Sequence, residues 1–260
     1  MKRLPTLGLV ALLAAATGAA AQTAELAHAT SPGLYAGERS GYAVTLGPFG
    51  TVGEASMEVV GRETIRDRST YRLRFDLEGG IWFAKVDTRM ESWVEPNTFS
   101  AMRFFRDQHE VNYKRRQTID FFPDEMRWRA SDGTSGELGS DRPLDDVSFL
   151  YYVRQLPLDV GETYVLERYF KPDGNPVTIR VVRKETITVP AGRFETIVIR
   201  PEIRTSGLFS EGGEAEVYFT DDDRRILVQL KSKVPIVGSL TLKLKAYTPG
   251  ERPTSLADRR

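Results

Sequence analysis

Apolar and polar positions alternate along most of this chain with the two-residue period of a half-buried strand. Tyr71, Leu73, Phe75 and Leu77 are apolar, and the residues between them are charged. Because successive side chains of a strand point to opposite faces, this segment has one apolar and one charged face. A second alternating run follows from Trp82 to Glu91, and two more lie near the C-terminal end.

Glycine and proline residues interrupt these alternating runs. Gly79 and Gly80 lie between the first two strands, and we predict that they form the turn. The stretch Thr186–Pro201, TITVPAGRFETIVIRP, contains two β-prone runs interrupted by PAGR. Pro190 fixes its own φ and Gly192 can adopt a positive φ, which predicts a tight hairpin turn. A phosphate-binding loop is disfavoured because a strand, not a helix, follows.

One segment, Arg142–Leu158, departs from strand spacing. Asp145 or Asp146 can cap a helix there, and Pro157 ends it. The positions that recur at helical spacing are Val147, Leu150, Tyr151 and Arg154. The pattern predicts an all-β, mainly antiparallel protein, a large curved sheet or half-barrel with one packed helix near residues 145–156.

The first residues resemble a secretory signal peptide. Lys2 and Arg3 precede an apolar run, Leu7–Ala16, and an Ala-x-Ala site ends at Ala21, where we expect cleavage. The apolar run is shorter than the roughly 20 residues of a spanning helix, which disfavours the alternative of a retained membrane anchor. We expect a periplasmic protein with no transmembrane segment after cleavage. The chain has no cysteine, so we expect no lipidation, disulfide or thiolate metal site.

These boundaries predict four regions: a signal peptide at 1–21, an N-terminal tail at 22–34, one β-rich domain at 35–248 and a polar tail at 249–260. The whole chain has 36 basic and 36 acidic residues. This balance argues against a nucleic-acid partner, which usually requires a strongly basic face.

Candidate catalytic chemistry is sparse. The only histidines are His28 and His109, and no G-x-S-x-G nucleophile motif is present. We predict that His109 is a surface residue at a strand end, and that the acidic run in TDDDRR, Thr220–Arg225, is a hairpin tip and not a calcium loop. We therefore predict no catalytic residue, cofactor or metal. Carboxylates are plentiful, however, so a glycosidase-type pair is not excluded.

Aromatic residues are numerous in the N-terminal half and allow two interpretations. They pack the core, or some of them line a pocket for an apolar ligand within a curved sheet. The residues that we predict as pocket lining are Trp82, Phe104, Phe121 and Trp128. Our first hypothesis is a non-catalytic carrier or binding module for an apolar or lipid-like envelope ligand. The alternatives are a structural or assembly partner in the envelope and, third, a hydrolase. An outer-membrane barrel is disfavoured because the charged, proline-containing end gives no closing aromatic strand.

Four stretches, in this order, resemble a family of exported bacterial proteins known as domain of unknown function 3108. They are LGPFGTVGEASMEV from Leu46, DDVSFLYYVRQLPLDVGETY from Asp145, VPAGRFET from Val189 and SGLFSEGGEAEVYFTDDDRRILVQLKSKVPIVGSLTLKL from Ser206. The resemblance implies a mostly antiparallel β protein of the bacterial envelope. It implies no catalytic residues, because the family has no agreed activity. A looser likeness links the expected half-barrel to periplasmic carriers of lipoproteins and lipids.

Overall fold

The alternating segments form long antiparallel strands. The computed structural model describes residues 33–81, 84–110, 113–202, 215–234 and 238–251. Its strands are β1 (Arg39–Leu46), β2 (Thr51–Ile65), β3 (Arg68–Ile81), β4 (Ala84–Glu95), β5 (Ser100–Glu110), β6 (Tyr113–Phe122), β7 (Arg127–Ala130), β8 (Ser135–Glu137), β9 (Thr163–Leu166), β10 (Val177–Val189), β11 (Gly192–Glu202), β12 (Glu216–Thr220), β13 (Leu227–Val234) and β14 (Gly238–Thr248). One α-helix, α1 (Asp146–Val153), and three 3-10 turns, Gly47–Phe49, Pro123–Glu125 and Pro172–Gly174, complete the described chain. The predicted fold class is confirmed.

The described strands form one sheet in the order β8-β7-β6-β5-β4-β3-β2-β1-β14-β13-β12-β11-β10-β9. The inner faces of distant strands meet in one core: Tyr42 of β1, Phe121 of β6, Val181 of β10 and Phe219 of β12 belong to a single buried cluster. Such contacts require the sheet to curl upon itself. Its two ends, β8 and β9, are not paired with each other, so the sheet is not closed.

The segment between β8 and β9 covers part of this gap. The amide N–H of Gly139 donates to the carbonyl of Phe170 (3.1 Å), and the N–H of Phe170 donates to the carbonyl of Leu144 (3.0 Å). The N–H of Leu144 in turn donates to the carbonyl of Arg168 (2.6 Å). Backbone hydrogen bonds therefore connect the two sides of the open seam.

The helix α1 begins where the sequence predicted. The Oδ1 atom of Asp145 accepts the N–H groups of Val147 (3.0 Å) and Ser148 (2.9 Å), and Ser148 Oγ accepts the N–H of Asp145 (2.8 Å). This reciprocal capping satisfies amides that have no partner inside the helix. All residues from Val147 to Val153 are buried, although the sequence suggested a one-sided stripe. The curled sheet surrounds the helix, so every side of it faces protein.

The turn predicted at Gly79 and Gly80 is wrong. Both glycines lie within β3, where they pair with Val86 and Lys85 of β4. Gly79 also lies opposite Gly53 of β2, and a Cβ on it would come within 2.7 Å of a β2 backbone carbonyl. Close approach of two strands, and not a turn, explains this glycine. The segment that joins β3 to β4 lies outside the described residues.

The predicted hairpin turn between β10 and β11 is confirmed. Val189 pairs with Gly192, which leaves Pro190 and Ala191 as the two-residue connection, and Gly192 has φ +136°. The N–H of Ala191 donates to the carbonyl of Leu244 on β14 (2.9 Å). This hydrogen bond connects the turn to β14, which is distant in the sequence.

Residues near both limits of the described chain belong to the packed structure. Leu34, at the end of the predicted N-terminal tail, is buried. Glu251, within the predicted C-terminal tail, forms a bridge with Ala36, and its N–H donates to the Ala36 carbonyl (2.9 Å). The predicted signal peptide, residues 1–21, lies outside the described residues. No helix among the described residues has the length and apolarity to span a membrane.

Candidate functional site

One part of the sheet's inner surface is only partly covered. On β3, Tyr71 and Leu73 are 5% and 0% exposed, whereas Phe75 and Leu77, further along the same face, are only half-buried. Met90 on β4 is half-buried as well. The apolar side chains at this end of β3 and β4 are therefore only partly covered, although Thr88 and Gln117 on the same face are buried.

Strand register sets the neighbours of these side chains. Phe75 lies opposite Met90, Met90 opposite Arg106 of β5, and Arg106 opposite Gln117 of β6. Directly opposite residues of paired strands point to the same face, so these four side chains form one row across the sheet. A parallel row runs from Leu77 through Thr88 and Gln108 to Arg115. We call the surface formed by Phe75, Leu77, Met90, Arg106, Arg115 and Gln117 the open inner face.

The open inner face has an apolar half and a cationic half. Phe75, Leu77 and Met90 pack against the edge of the hydrophobic core. On the cationic half, Arg106 Nη2 and Arg115 Nη2 both donate to Gln117 Oε1, at 2.6 and 3.1 Å. A curved surface that combines an apolar patch with a few convergent polar groups suits a small amphipathic ligand.

The start of α1 lies beside the cationic half. The hydroxyl of Ser92 donates to Asp145 Oδ2 (2.6 Å), and the hydroxyl of Tyr169 donates to Asp146 Oδ1 (3.0 Å). Burial raises the pKa of Asp145 from 3.8 to about 7, against the opposing effect of its hydrogen bonds. Burial also raises the pKa of Asp146, and the positive charge of Arg106 is one of the influences that oppose it. Two carboxyl groups with raised pKa values thus lie at one end of the helix.

The other end of the helix is anchored by a buried ion pair. Arg154 Nη2 lies 2.9 Å from Glu38 Oε1, and their side chains are 7% and 5% exposed. The same nitrogen donates to the carbonyl of Arg224 (2.9 Å). A cavity of about 10 Å³ adjoins the pair, lined also by Tyr42 and Tyr151. Such a volume is enough for about one water molecule, which makes this cavity too small for a ligand.

A larger cleft, of about 460 Å³, follows β7 and β8 on the sheet's edge. Its lining is mixed, with Arg127, Arg129 and Glu137 beside Met126 and Leu138. Arg127 and Arg129 share a single carboxylate oxygen, Glu125 Oε2, at 3.6 and 3.3 Å.

The structure places three of the four predicted pocket residues in or against the core. Phe104 and Phe121 are fully buried, and Phe121 packs on Phe170 with ring centroids 5.3 Å apart. Trp128 is half-buried and meets Phe170 edge-on at 6.4 Å. None of the three lines either cavity described above. Trp82 lies outside the described residues, and the pocket-lining role of all four stays a prediction.

Other sequence expectations concern polar residues. His109 lies near the end of β5 with a side chain 52% exposed, as predicted for a surface residue, and its Nε2 is 3.2 Å from Asp107 Oδ1. The segment Thr220–Arg225 joins β12 to β13, as predicted, and Asp222 Oδ1 accepts three hydrogen bonds within it. Among the described residues, no group of three or more potential ligands could hold a metal ion.

Sequence reasoning missed Arg106, Arg115 and Gln117. A usable signal was present, because Arg106 shares the strand parity of Phe104, and Gln117 that of Ile119 and Phe121. Placing these apolar residues inside the sheet places Arg106 and Gln117 inside as well.

The architecture and the open inner face define an antiparallel, β-barrel-like protein with a candidate ligand-binding surface. The chain belongs to the family of proteins of unknown function DUF3108, whose family model matches residues 41–245. The resemblance seen in its ordered motifs is therefore confirmed. None of the curated proteins is similar enough in sequence to count as a match.

Solved structures share the fold at low sequence identity. A β-barrel-like protein of domain of unknown function DUF1849 from Brucella abortus matches with a TM-score of 0.52 and 10% identity, over 84% of this chain and 99% of that one. A protein provisionally named a lipoprotein, from Parabacteroides distasonis, matches with a TM-score of 0.35 and 11% identity, over 83% and 97%. A protein provisionally named an exported protein with YmcC-like fold, from Bacteroides fragilis, matches with a TM-score of 0.32 and 10% identity, over 84% and 98%. The first of these likenesses supports the barrel-like fold.

Proposed function

We propose that the protein is a non-catalytic periplasmic carrier or binding module that holds an apolar or lipid-like envelope ligand on the open inner face. The observation that carries the proposal is that Phe75, Leu77 and Met90 are neighbours on the concave face and are all only half-buried. Covering such surface contributes about 25 cal/mol per Å², so an alkyl chain lying there is stabilised without any conspicuous polar motif.

Export supports the choice of ligand. The basic and apolar start of the sequence, with its Ala-x-Ala site, would bring the mature chain into the compartment beside the envelope lipids. A periplasmic fraction containing a chain that begins at Gln22 is the expected result of N-terminal sequencing. A chain recovered only with detergent, and still carrying Lys2, would contradict this part of the proposal.

The assembly-partner alternative is less well supported. A partner that extends a sheet needs a free strand edge. The two edge strands of the described sheet, β8 and β9, have only three and four residues, and backbone hydrogen bonds across the seam occupy the neighbouring segment. Short edges of this kind limit pairing with other chains, although β9 covers only Val177–Arg180 of β10 and β7 only Ile119–Phe122 of β6.

The test uses N-phenyl-1-naphthylamine, an uncharged apolar dye whose fluorescence rises when it leaves water. We expect the mature protein to bind the dye, and the double variant Leu77→Ser with Met90→Ser to bind it about tenfold more weakly, because two apolar contacts are lost. Val165→Ser on β9 is the matched control, since Val165 is apolar and 51% exposed but lies away from this face. It should leave binding unchanged.

Two outcomes would overturn the proposal. One is a mature protein that binds neither the dye nor any lipid extracted from its own envelope. The other is an equal loss of dye binding in the double variant and in the Val165→Ser control. Circular dichroism of each variant establishes that the sheet is intact.

A further inference from the structure

The cationic half of the open inner face contains two guanidinium groups that share one neutral acceptor. Arg106 and Arg115 both donate to Gln117 Oε1, and neither forms an ion pair with a carboxylate among the described residues. Most other arginines on the described strands are paired with a carboxylate: Arg72 with Glu91 at 2.7 Å, for example. Two guanidinium groups that meet at an uncharged oxygen have donors to spare for an anion.

A second contact fixes the orientation of Gln117. Its Nε2 donates to Asp132 Oδ2 (2.5 Å), while the N–H and hydroxyl of Thr134 donate to Asp132 Oδ1 (3.0 and 2.6 Å). Because Nε2 points to this carboxylate, Oε1 must face the two arginines. Gln117 is only 3% exposed, so its amide acts as a fixed part of the site.

Arg106 has fewer hydrogen-bond partners than Arg115. Its Nε is buried and has no hydrogen-bond partner. Burial lowers the pKa of Arg106, and the positive charge of Arg115 lowers it further, partly offset by Asp146. Asp146 is itself engaged by the Tyr169 hydroxyl. The carboxylates of Asp146 and Asp132 lie near Arg106 and Arg115 without forming an ion pair with either, and Arg106 retains an unused donor, which an oxyanion would satisfy.

The apolar half of the same face begins at the next residue of the row. Met90 lies opposite Arg106, and Phe75 lies opposite Met90. At about 4.8 Å per strand, the row from Phe75 to Arg106 spans on the order of 10 Å. That length accommodates an extended alkyl chain of medium length with its head at the arginines.

We propose that Arg106 and Arg115 bind the carboxylate or phosphate head group of an amphipathic anion whose alkyl chain lies on Phe75, Leu77 and Met90. The inference rests on the proposed function and adds the charge of the ligand to it. Gln117 serves as the positioning residue that holds the two guanidinium groups together.

The experiment measures displacement of the uncharged dye by ligands of equal chain length. Dodecanoate and dodecyl phosphate carry an oxyanion, 1-dodecanol carries none, and inorganic phosphate has no chain. We expect both anionic amphiphiles to displace the dye at concentrations about tenfold lower than dodecanol, because charge-assisted hydrogen bonds add to the same apolar contact. Inorganic phosphate should not displace the dye.

Substitutions separate the head-group contact from the apolar contact. Arg106→Gln should remove the advantage of dodecanoate over dodecanol in displacing the dye. Arg116→Gln is the matched control, because Arg116 is the next residue after Arg115, points to the opposite face and lies 3.7 Å from Asp107. This control should leave the displacing concentration of every ligand unchanged.

The failures are distinguishable. If the protein does not bind the dye, the proposed function fails. If the dye binds but dodecanoate and dodecanol displace it equally, or Arg106→Gln weakens both alike, the head-group inference fails and the apolar site stands. If inorganic phosphate alone competes with dodecanoate in equilibrium dialysis as strongly as dodecyl phosphate does, the site recognises a free anion and the inference is overturned.

Discussion

The buried cap of α1 predicts an unusual dependence of stability on pH. Asp145 is fully enclosed, and its carboxylate accepts hydrogen bonds from Ser92 (2.6 Å), Val147 (3.0 Å) and Ser148 (2.9 Å). Each bond favours the ionised form, yet burial outweighs them and raises the pKa from 3.8 to about 7. The folded protein therefore prefers the protonated carboxyl near neutral pH.

The sign and size of the effect follow from proton linkage. Below pH 3.8 the carboxyl is protonated in both the folded and unfolded states, so Asp145 contributes no pH dependence there. Between pH 3.8 and 7 the unfolded chain has lost the proton and the folded chain retains it, so the free energy of unfolding falls as the pH rises. At about 1.4 kcal/mol per pH unit, a shift of roughly three units corresponds to a loss of about 4 kcal/mol.

The titration of other carboxyl groups does not cancel this fall in the free energy of unfolding. The pKa of Glu216 is lowered to about 2, chiefly by its hydrogen bond from Arg183, so the stability it contributes is complete above pH 5. Glu38 and Asp146 have raised pKa values and add to the decline. Urea unfolding followed by tryptophan fluorescence at pH 5, 6, 7 and 8 should show stability falling from pH 5 to pH 7 and levelling off towards pH 8.

The decisive variant is Asp145→Asn, which retains a good capping residue but cannot ionise. We expect it to flatten the decline between pH 5 and 8 and to be at least as stable as the parent at pH 8. Asp222→Asn, in the exposed turn between β12 and β13, should leave the slope unchanged. A parent protein whose stability rises from pH 5 to 8, or an Asp145→Asn variant with the parent's slope, would refute the reasoning.

Three further predictions concern stability. Arg154→Leu leaves the Glu38 charge buried without its partner and should cost about 3–5 kcal/mol in urea unfolding, whereas the double change to leucine at both positions should cost less. Gly53→Ala places a Cβ 2.2 Å from a β3 carbonyl and should abolish soluble expression or lower Tm sharply, while Gly41→Ala, whose nearest contact is 3.8 Å, should change Tm little. Gly192→Val puts a branched side chain at φ +136° and should lower the free energy of unfolding by about 1–3 kcal/mol in the same urea assay. An unchanged urea midpoint would contradict the backbone strain expected there.

Local patterns in the sequence were enough to predict the fold class. The period of two at Tyr71–Leu77 identified a half-buried strand, PAGR identified a hairpin, and the pair Asp145 and Asp146 identified a helix cap. Each depends on interactions between residues close in sequence, which spacing alone reveals. The failure at Gly79 has the opposite cause, because its reason is Gly53 on another strand.

The candidate site depends on contacts that spacing does not reveal. Met90, Arg106 and Gln117 become neighbours only through the register of three strands, and a shift of one residue would turn Arg106 to the outer face. Glu38 and Arg154 are likewise unremarkable charges in the sequence until the helix is placed inside the sheet. The chemistry of both sites is set by tertiary arrangement.

The position of β1 has a consequence for how the chain folds. One edge of β1 pairs with β2, which follows it immediately, and the other pairs with β14, the last strand. Until β14 is in place, the centre of the future sheet carries an open edge with apolar Tyr42 and Val44 beside unpaired backbone groups, and such edges are prone to aggregate. Every other described strand precedes that final pairing along the chain, so the folding intermediates of this protein are the species most prone to aggregate.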